Sequence, residues 1–194
     1  MDQLSVRINS LPVSATLAMA AKARELKNKG IDIIGLSLGE PDFNTPEFIK
    51  DAAIQAVRDN YNSYSPVDGY ADLKEAICAK FKRDNKITYS PSQIVVSTGA
   101  KQSIANLCLV LLDPGDEVLL PAPYWVSYSA ITTLAEATSI IIPSSIKTDF
   151  KITPEQLEAF ITPKTKLVMF NSPNNPSGSI YTESEYRALS LIHI

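Results

Sequence analysis

Three short segments carry groups able to hold a small anionic, heteroaromatic ligand. Ser97-Thr98-Gly99-Ala100-Lys101-Gln102-Ser103 stands between a strand-like run and a helix-like one. The first N–H groups of a helix lack intrahelical partners, and small residues leave them accessible, so the segment could bind a phosphate. A tight strand-to-helix turn in which small residues serve packing explains the same composition. Pro121-Ala122-Pro123-Tyr124-Trp125 follows the next apolar run. Two prolines fix the backbone there, where α/β sheets place ligands, and the one tryptophan of the chain could offer a flat face to a heteroaromatic ring. A plain buried tryptophan fits equally well. Asn171-Ser172-Pro173-Asn174-Asn175-Pro176-Ser177-Gly178 follows a third run. Asparagine amides both donate and accept, which suits a phenolic oxygen or a carboxylate. Turn chemistry favours the same residue types and accounts for the segment taken alone.

Two further segments could contribute. In Gly39-Glu40-Pro41-Asp42-Phe43 the glycine would let a substrate approach the backbone. In Tyr64-Ser65-Pro66-Val67-Asp68-Gly69 a phenol stands beside a turn. Such segments more often serve structure. Gly-x-Gly-x-x-Gly and Walker A patterns are absent, so nothing supports dinucleotide or nucleoside-triphosphate binding. His193 is the only histidine, which is weak ground for a metal or acid–base role, and no metal site is expected.

The elements that must position these segments can be read from periodicity and punctuation. Ser14 is an N-cap for a helix ending at Lys29 before Gly30. Thr45-Pro46-Glu47 starts another, as N-cap, N1 proline and first-turn acid, with Ile49, Ala53 and Val57 as its inward face. Leu73, Ile77 and Phe81, four apart, mark a third. Beyond Gln93 apolar runs and helices alternate. Strands are predicted at Ile94–Val96, Glu117–Leu120, Ser139–Ile142 and Lys166–Phe170, and helices at about 100–112, 124–134, 154–161 and from Thr182. Continuous apolar strands alternating with helices predict an α/β fold with a largely parallel sheet covered on both faces.

Composition narrows the class. The chain has 194 residues, 45% hydrophobic and 20% charged, with a net charge of -3. That balance fits a globular protein and offers no basic excess for nucleic acid or an anionic membrane surface. The longest apolar runs, such as Cys108–Leu112, are far shorter than the roughly 18 residues of a membrane span, and Met1–Arg7 lacks the order of a signal peptide. Cys78 and Cys108 sit among apolar neighbours and read as free thiols in a reducing cytoplasm. The end, Leu189-Ser190-Leu191-Ile192-His193-Ile194, has no cap or turn. It is what the codons CTG-TCT-CTT-ATA-CAC-ATC of a transposon-end adapter encode, so 190–194 is expected to be a non-native tail.

Taken together, Leu38–Phe43, Thr98–Gln102, Pro123–Trp125 and above all Ser172–Gly178 resemble, in order and spacing, the class I aminotransferases of pyridoxal-phosphate (PLP) fold type I. The resemblance is to the bacterial aspartate aminotransferases and runs from about Ser5 to Leu189. It implies a truncated aspartate aminotransferase-like fold, with 1–45 as N-terminal arm and part of the small domain, and 46–189 as the N-terminal part of the large PLP-binding domain. It further implies that the amides of Gly99, Ala100 and Lys101 hold the PLP phosphate. Trp125 would stack on the pyridine ring beside the substrate. Asn175 would hydrogen-bond the phenolic oxygen and lie near the substrate carboxylate, which Gly39 would contact through its backbone. Tyr64 would reach the phosphate of the neighbouring subunit's cofactor, which implies a cytoplasmic homodimer with shared active sites.

The family's Schiff-base lysine, the aspartate that pairs with the ring nitrogen, a further tyrosine and the carboxylate-binding arginine belong to later motifs. No catalytic residue is therefore expected within 1–194, and the piece by itself should be inactive. For the complete protein the resemblance implies transamination between an L-amino acid, aspartate first, and a 2-oxo acid, 2-oxoglutarate first. Aromatic amino acids, alanine, kynurenine and prephenate are the alternatives. Relatives that accept prephenate tend to carry a basic residue where this chain has Ser10-Leu11-Pro12-Val13-Ser14. A non-catalytic regulator on the same fold would carry a basic DNA-binding segment ahead of it, whereas Met1 here opens a family-like arm.

Overall fold

The structure is a computed structural model that describes residues 4–11, 13–36 and 39–190. Leu38, Pro12 and Leu191–Ile194, with His193, lie outside the described residues. Two compact units emerge: Ser14–Thr98, and Met1–Val13 with Gly99–Ile194.

The second of these holds the sheet. A short helix α1 (Val6–Asn9) is capped by the Ser5 hydroxyl, which accepts from the Ile8 amide at 3.3 Å. After α5 (Ala100–Leu111) come β1 (Glu117–Pro121), α6 (Ser127–Leu134), β2 (Thr138–Ile142), α7 (Pro154–Phe160), β3 (Thr165–Val168) and α8 (Glu183–Ser190). The strands are parallel in the order β2-β1-β3. The central strand explains the layering. Val118, Leu119 and Leu120 are completely buried, and alternate residues of a strand face opposite sides. Val118 and Leu120 pack with Cys108, Leu112, Tyr128 and Ile131 beneath α5 and α6. Leu119 packs with Ile142, Leu157 and Leu189 beneath α7 and α8. Each such side chain contributes about 1.5–3 kcal/mol by leaving water. The Thr153 hydroxyl caps α7 by accepting from the Gln156 amide at 3.2 Å, while the Gln156 side-chain oxygen Oε1 accepts from Thr153 N–H at 3.0 Å. The expected α/β class, with a parallel sheet between helical layers, is what this unit shows.

In the Ser14–Thr98 unit, α2 (Ala15–Asn28) starts at Ser14, whose hydroxyl accepts from the Leu17 amide at 3.4 Å, and ends before Gly30 at φ 79°. These are the caps read from sequence. The helix α3 (Glu47–Arg58) has Pro46, not Thr45, at its cap position. Its expected inward face is corrected outright: Ile49, Ala53 and Val57 are exposed, since no described element covers them. The helix α4 (Ala71–Lys80) continues into a π turn, Phe81–Asn85. Ile77 and Phe81 are half-buried, while Leu73 is exposed. The strand expected at Ile94–Val96 has no strand partner among the described residues. Its recorded ladder-like bond is Val96 N–H to the Asp68 carbonyl, 3.1 Å. Both cysteines are free, Cys108 buried and Cys78 half-buried. No described helix is long and apolar enough to cross a membrane.

Candidate functional site

Parallel pairing dictates where the loops must lie. Each strand of a βαβ unit enters from the same side, so the segments following β1 and β3 leave the sheet at its carboxyl edge. The helix α5 runs back against β1, which brings its N-terminus to that edge as well. The Gly99, Trp125 and Asn175 segments are therefore gathered at one end of one unit.

The helix start comes first. Gly99 is the N-cap of α5, at φ 81° and ψ 163°, a conformation that L side chains rarely adopt. Its carbonyl accepts from the amides of Gln102, at 3.1 Å, and Ser103, at 3.3 Å. The N–H groups of Gly99, Ala100 and Lys101 stand ahead of these first helical bonds. A Cβ added to Gly99 would meet no atom within 4 Å, so the space at the helix start is open. Main-chain amides at the positive end of a twelve-residue helix favour an anion there. The Lys101 ammonium lies 5.1 Å from the centroid of the Trp125 ring, a cation–π contact that joins this segment to the next.

Trp125 is half-buried. It packs on the cluster of Cys108, Val118 and Tyr128, and meets Tyr128 edge-on, with centroids 5.6 Å apart and planes at 84°. Burial pushes the Tyr128 phenol above its ordinary pKa. The loop that bears Trp125 is tied to the end of β2 and to the segment beyond it: the Ala122 amide donates to the Ile142 carbonyl at 2.9 Å, and the Ser144 hydroxyl donates to the Ala122 carbonyl. The packing reading of the tryptophan is what these contacts describe, and the ring keeps part of its surface exposed at the carboxyl edge of the sheet.

In the third segment the two adjacent asparagines differ. Asn174 donates its side-chain N–H to the Pro123 carbonyl at 3.2 Å, and its side-chain oxygen accepts from the Ser177 amide at 3.1 Å and the Ser177 hydroxyl at 2.9 Å. Asn175 is exposed, and its side-chain amide has no protein partner among the described residues. One asparagine is spent on the loop and the other is available to a ligand. Residue type and neighbourhood alone do not separate them, and the choice of Asn175 rested on the family resemblance. The Lys101–indole contact was likewise invisible, since the motif speaks only for the Lys101 main chain.

Gly39 and Tyr64 belong to the Ser14–Thr98 unit. Gly39 is exposed with open space where a Cβ would be, and Tyr64 is fully exposed. The segment that presents Tyr64 is anchored. Lys74 pairs with Asp68 and holds its carboxyl below the ordinary pKa, chiefly through their hydrogen bond. At Gly69, φ is 102°, and a Cβ would lie 2.5 Å from Val96 Cγ2.

The groups of the sheet unit therefore suit a planar, anionic cofactor. The helix-start amides match a phosphate, the indole matches a heteroaromatic ring, and the uncommitted Asn175 amide matches a ring oxygen. Comparison with known proteins points the same way. Residues 31–193 match the family described as Aminotransferase class I and II. The chain is 52% identical over 190 residues to an aspartate/prephenate aminotransferase of Nitrosomonas europaea, covering 98% of this chain and 48% of that protein. It is 50% identical to an aspartate aminotransferase of Bacillus subtilis, again over 98% of this chain and 48% of the relative. Among solved structures, the aspartate aminotransferase of Thermus thermophilus with maleate superposes with a TM-score of 0.94 at 40% identity, over 99% of this chain and 50% of that one. The chain spans about half the length of the relatives it matches, and its fold is that of the N-terminal part of an aspartate aminotransferase.

Proposed function

Because the chain belongs to the class I and II aminotransferases, we propose that residues 1–194 are part of a PLP-dependent enzyme that moves an amino group between L-aspartate and 2-oxoglutarate. The observation that carries the reading is the convergence of Gly99–Lys101, Trp125 and Asn175 at the carboxyl edge of the sheet. When bound, PLP supplies the electron sink that lets an amino acid lose its Cα proton. The main-chain amides of Gly99, Ala100 and Lys101 bind its phosphate. Trp125 fixes the plane of the pyridine ring, and Asn175 donates to the phenolic oxygen and faces the substrate carboxylate. Gly39 offers its backbone to that carboxylate. Tyr64 reaches a neighbouring subunit, in a cytoplasmic homodimer whose active sites are shared. The lysine that holds the cofactor and carries the proton lies outside 1–194, so these residues alone do not turn over substrate. Residues 46–189 are the N-terminal part of the large domain, and 1–45 the arm and part of the small domain.

Aspartate is favoured because the relatives above share it in their names, and because maleate, a four-carbon dicarboxylate, accompanies the Thermus thermophilus structure. Prephenate is the second reading. The Nitrosomonas europaea relative carries it in its name despite the non-basic Ser10–Ser14 stretch here. The complete, PLP-loaded protein should release oxaloacetate from aspartate and 2-oxoglutarate in a coupled dehydrogenase assay. Turnover of alanine or aromatic amino acids without aspartate would overturn the assignment. Arogenate formation from prephenate and aspartate would establish the second acceptor.

A further inference from the structure

The loop after β3 reaches the loop after β1 through the Asn174 side chain, which donates to the Pro123 carbonyl across 51 residues of sequence. The rest of Asn174 is committed within its own loop. Its amide donates to the Ser179 carbonyl at 2.9 Å, its carbonyl accepts from Gly178 at 2.8 Å, and its side-chain oxygen takes both groups of Ser177. Pro123 lies two residues before Trp125, and Asn174 one before Asn175. A single side chain therefore fixes the segment that offers a stacking surface relative to the segment that offers a free amide.

We infer that Asn174 is a positioning residue, which sets the spacing between the Trp125 ring and the Asn175 amide so that one bound cofactor meets both. This rests on the cofactor reading above. A donor acts on a ring oxygen only over about 2.7–3.2 Å and near-linear geometry. The indole fixes where the ring lies, so the Asn175 donor must be fixed against the indole and not merely present. The amide stem of Asn174 supplies that link. The Ser177 contacts shape the loop internally and do not cross to Pro123.

The test uses the complete protein with PLP and reads two quantities: the affinity for PLP, and the pH midpoint of the visible band of the bound cofactor. A donor to the phenolic oxygen favours its anion, so losing the donor moves the midpoint up. Asn175→Ala, which removes the donor itself, gives the full shift. Asn174→Ala should move the midpoint the same way by about half a pH unit and weaken PLP by about threefold to tenfold. If that variant does not fold, Asn174→Ser carries the test, because its short hydroxyl stays near Ser177 but cannot span to Pro123. Ser177→Ala loosens the loop and keeps the tie, so its midpoint should stay at the wild-type value. No shift in the Asn174 variants, or an equal shift in Ser177→Ala, would refute a positioning role. A wild-type protein that takes up no PLP would overturn the cofactor reading and this inference with it.

Discussion

Gly69→Ala is a sharp test of how the Tyr64 segment is held. Two costs follow from the geometry. At φ 102° an L residue is strained, by about 1–2 kcal/mol as in the left-handed region. The new Cβ would also stand 2.5 Å from Val96 Cγ2 and 2.9 Å from Val96 Cβ, both well inside contact distance. Forcing a methyl into such a space costs about 1–3 kcal/mol. Together the change should destabilise the Ser14–Thr98 unit by about 2–5 kcal/mol, if the costs add. Urea unfolding followed by limited proteolysis would show an earlier midpoint, with first cleavage around 64–69. The double variant Gly69→Ala/Val96→Ala separates the terms. It removes Cγ2 but leaves Cβ and the backbone strain, so it should recover about 1 kcal/mol beyond the sum of the single changes. A Gly69→Ala protein as stable as wild type, or a double variant with no recovery, would refute the close-approach account.

Other outcomes follow from single residues. Trp125→Ala in the complete protein should weaken PLP binding by about threefold to tenfold, the worth of an aromatic stack. Unchanged affinity in equilibrium dialysis would leave the ring a packing element only. Ser139, in β2, buries its Oγ without a hydrogen-bond partner among the described residues. Ser139→Ala should therefore be neutral or raise stability by up to about 1 kcal/mol, and a clear loss in a denaturant titration would contradict this. Glu185 is held at about 2, below its ordinary 4.5, first by the hydrogen bond from Lys151 at 2.8 Å and then by the Thr182 amide. A depressed carboxyl pKa adds stability above the unfolded value, and that contribution is lost as pH falls from about 4.5 towards 2. Glu185→Gln should flatten the stability curve over that window, and an unaltered acid limb would show that the Lys151 pair contributes nothing there.

Much of the sheet unit was legible because its signals are local. Val118–Leu120, within the strand expected at Glu117–Leu120, is a continuous apolar run, and the structure buries it from both sides. Ser14 and Gly30 bound α2 through their own conformational preferences. Gly99 was legible as a helix start, since a glycine between small residues leaves few alternatives. What escaped depends on partners distant in sequence. Ile94–Val96 has a strand's composition, but pairing needs a neighbour, and among the described residues its long-range backbone bond is the one from Val96 to the Asp68 carbonyl. The apolar stripe of Ile49, Ala53 and Val57 predicts a buried face, yet periodicity cannot name what covers it. Asn174 and Asn175 show the limit most plainly. Chemistry alone permits either role at either position; the family resemblance singled out Asn175, and the structure adds that the Asn174 amide is turned to the Pro123 carbonyl.

The tie between Asn174 and Pro123 also orders events in time. Synthesis releases the α5 start and the Trp125 segment first, then β2, and only later β3 with the asparagine loop behind it. Because β1 lies between β2 and β3, the second flank of the central strand stays bare until Thr165–Val168 has emerged. Loop-closure entropy makes such late, distant contacts the slow ones. The bond to the Pro123 carbonyl can close only after that flank is in place. The Gly99 and Trp125 segments are therefore complete in the chain before the one side chain that joins the Trp125 loop to the asparagine loop has been made.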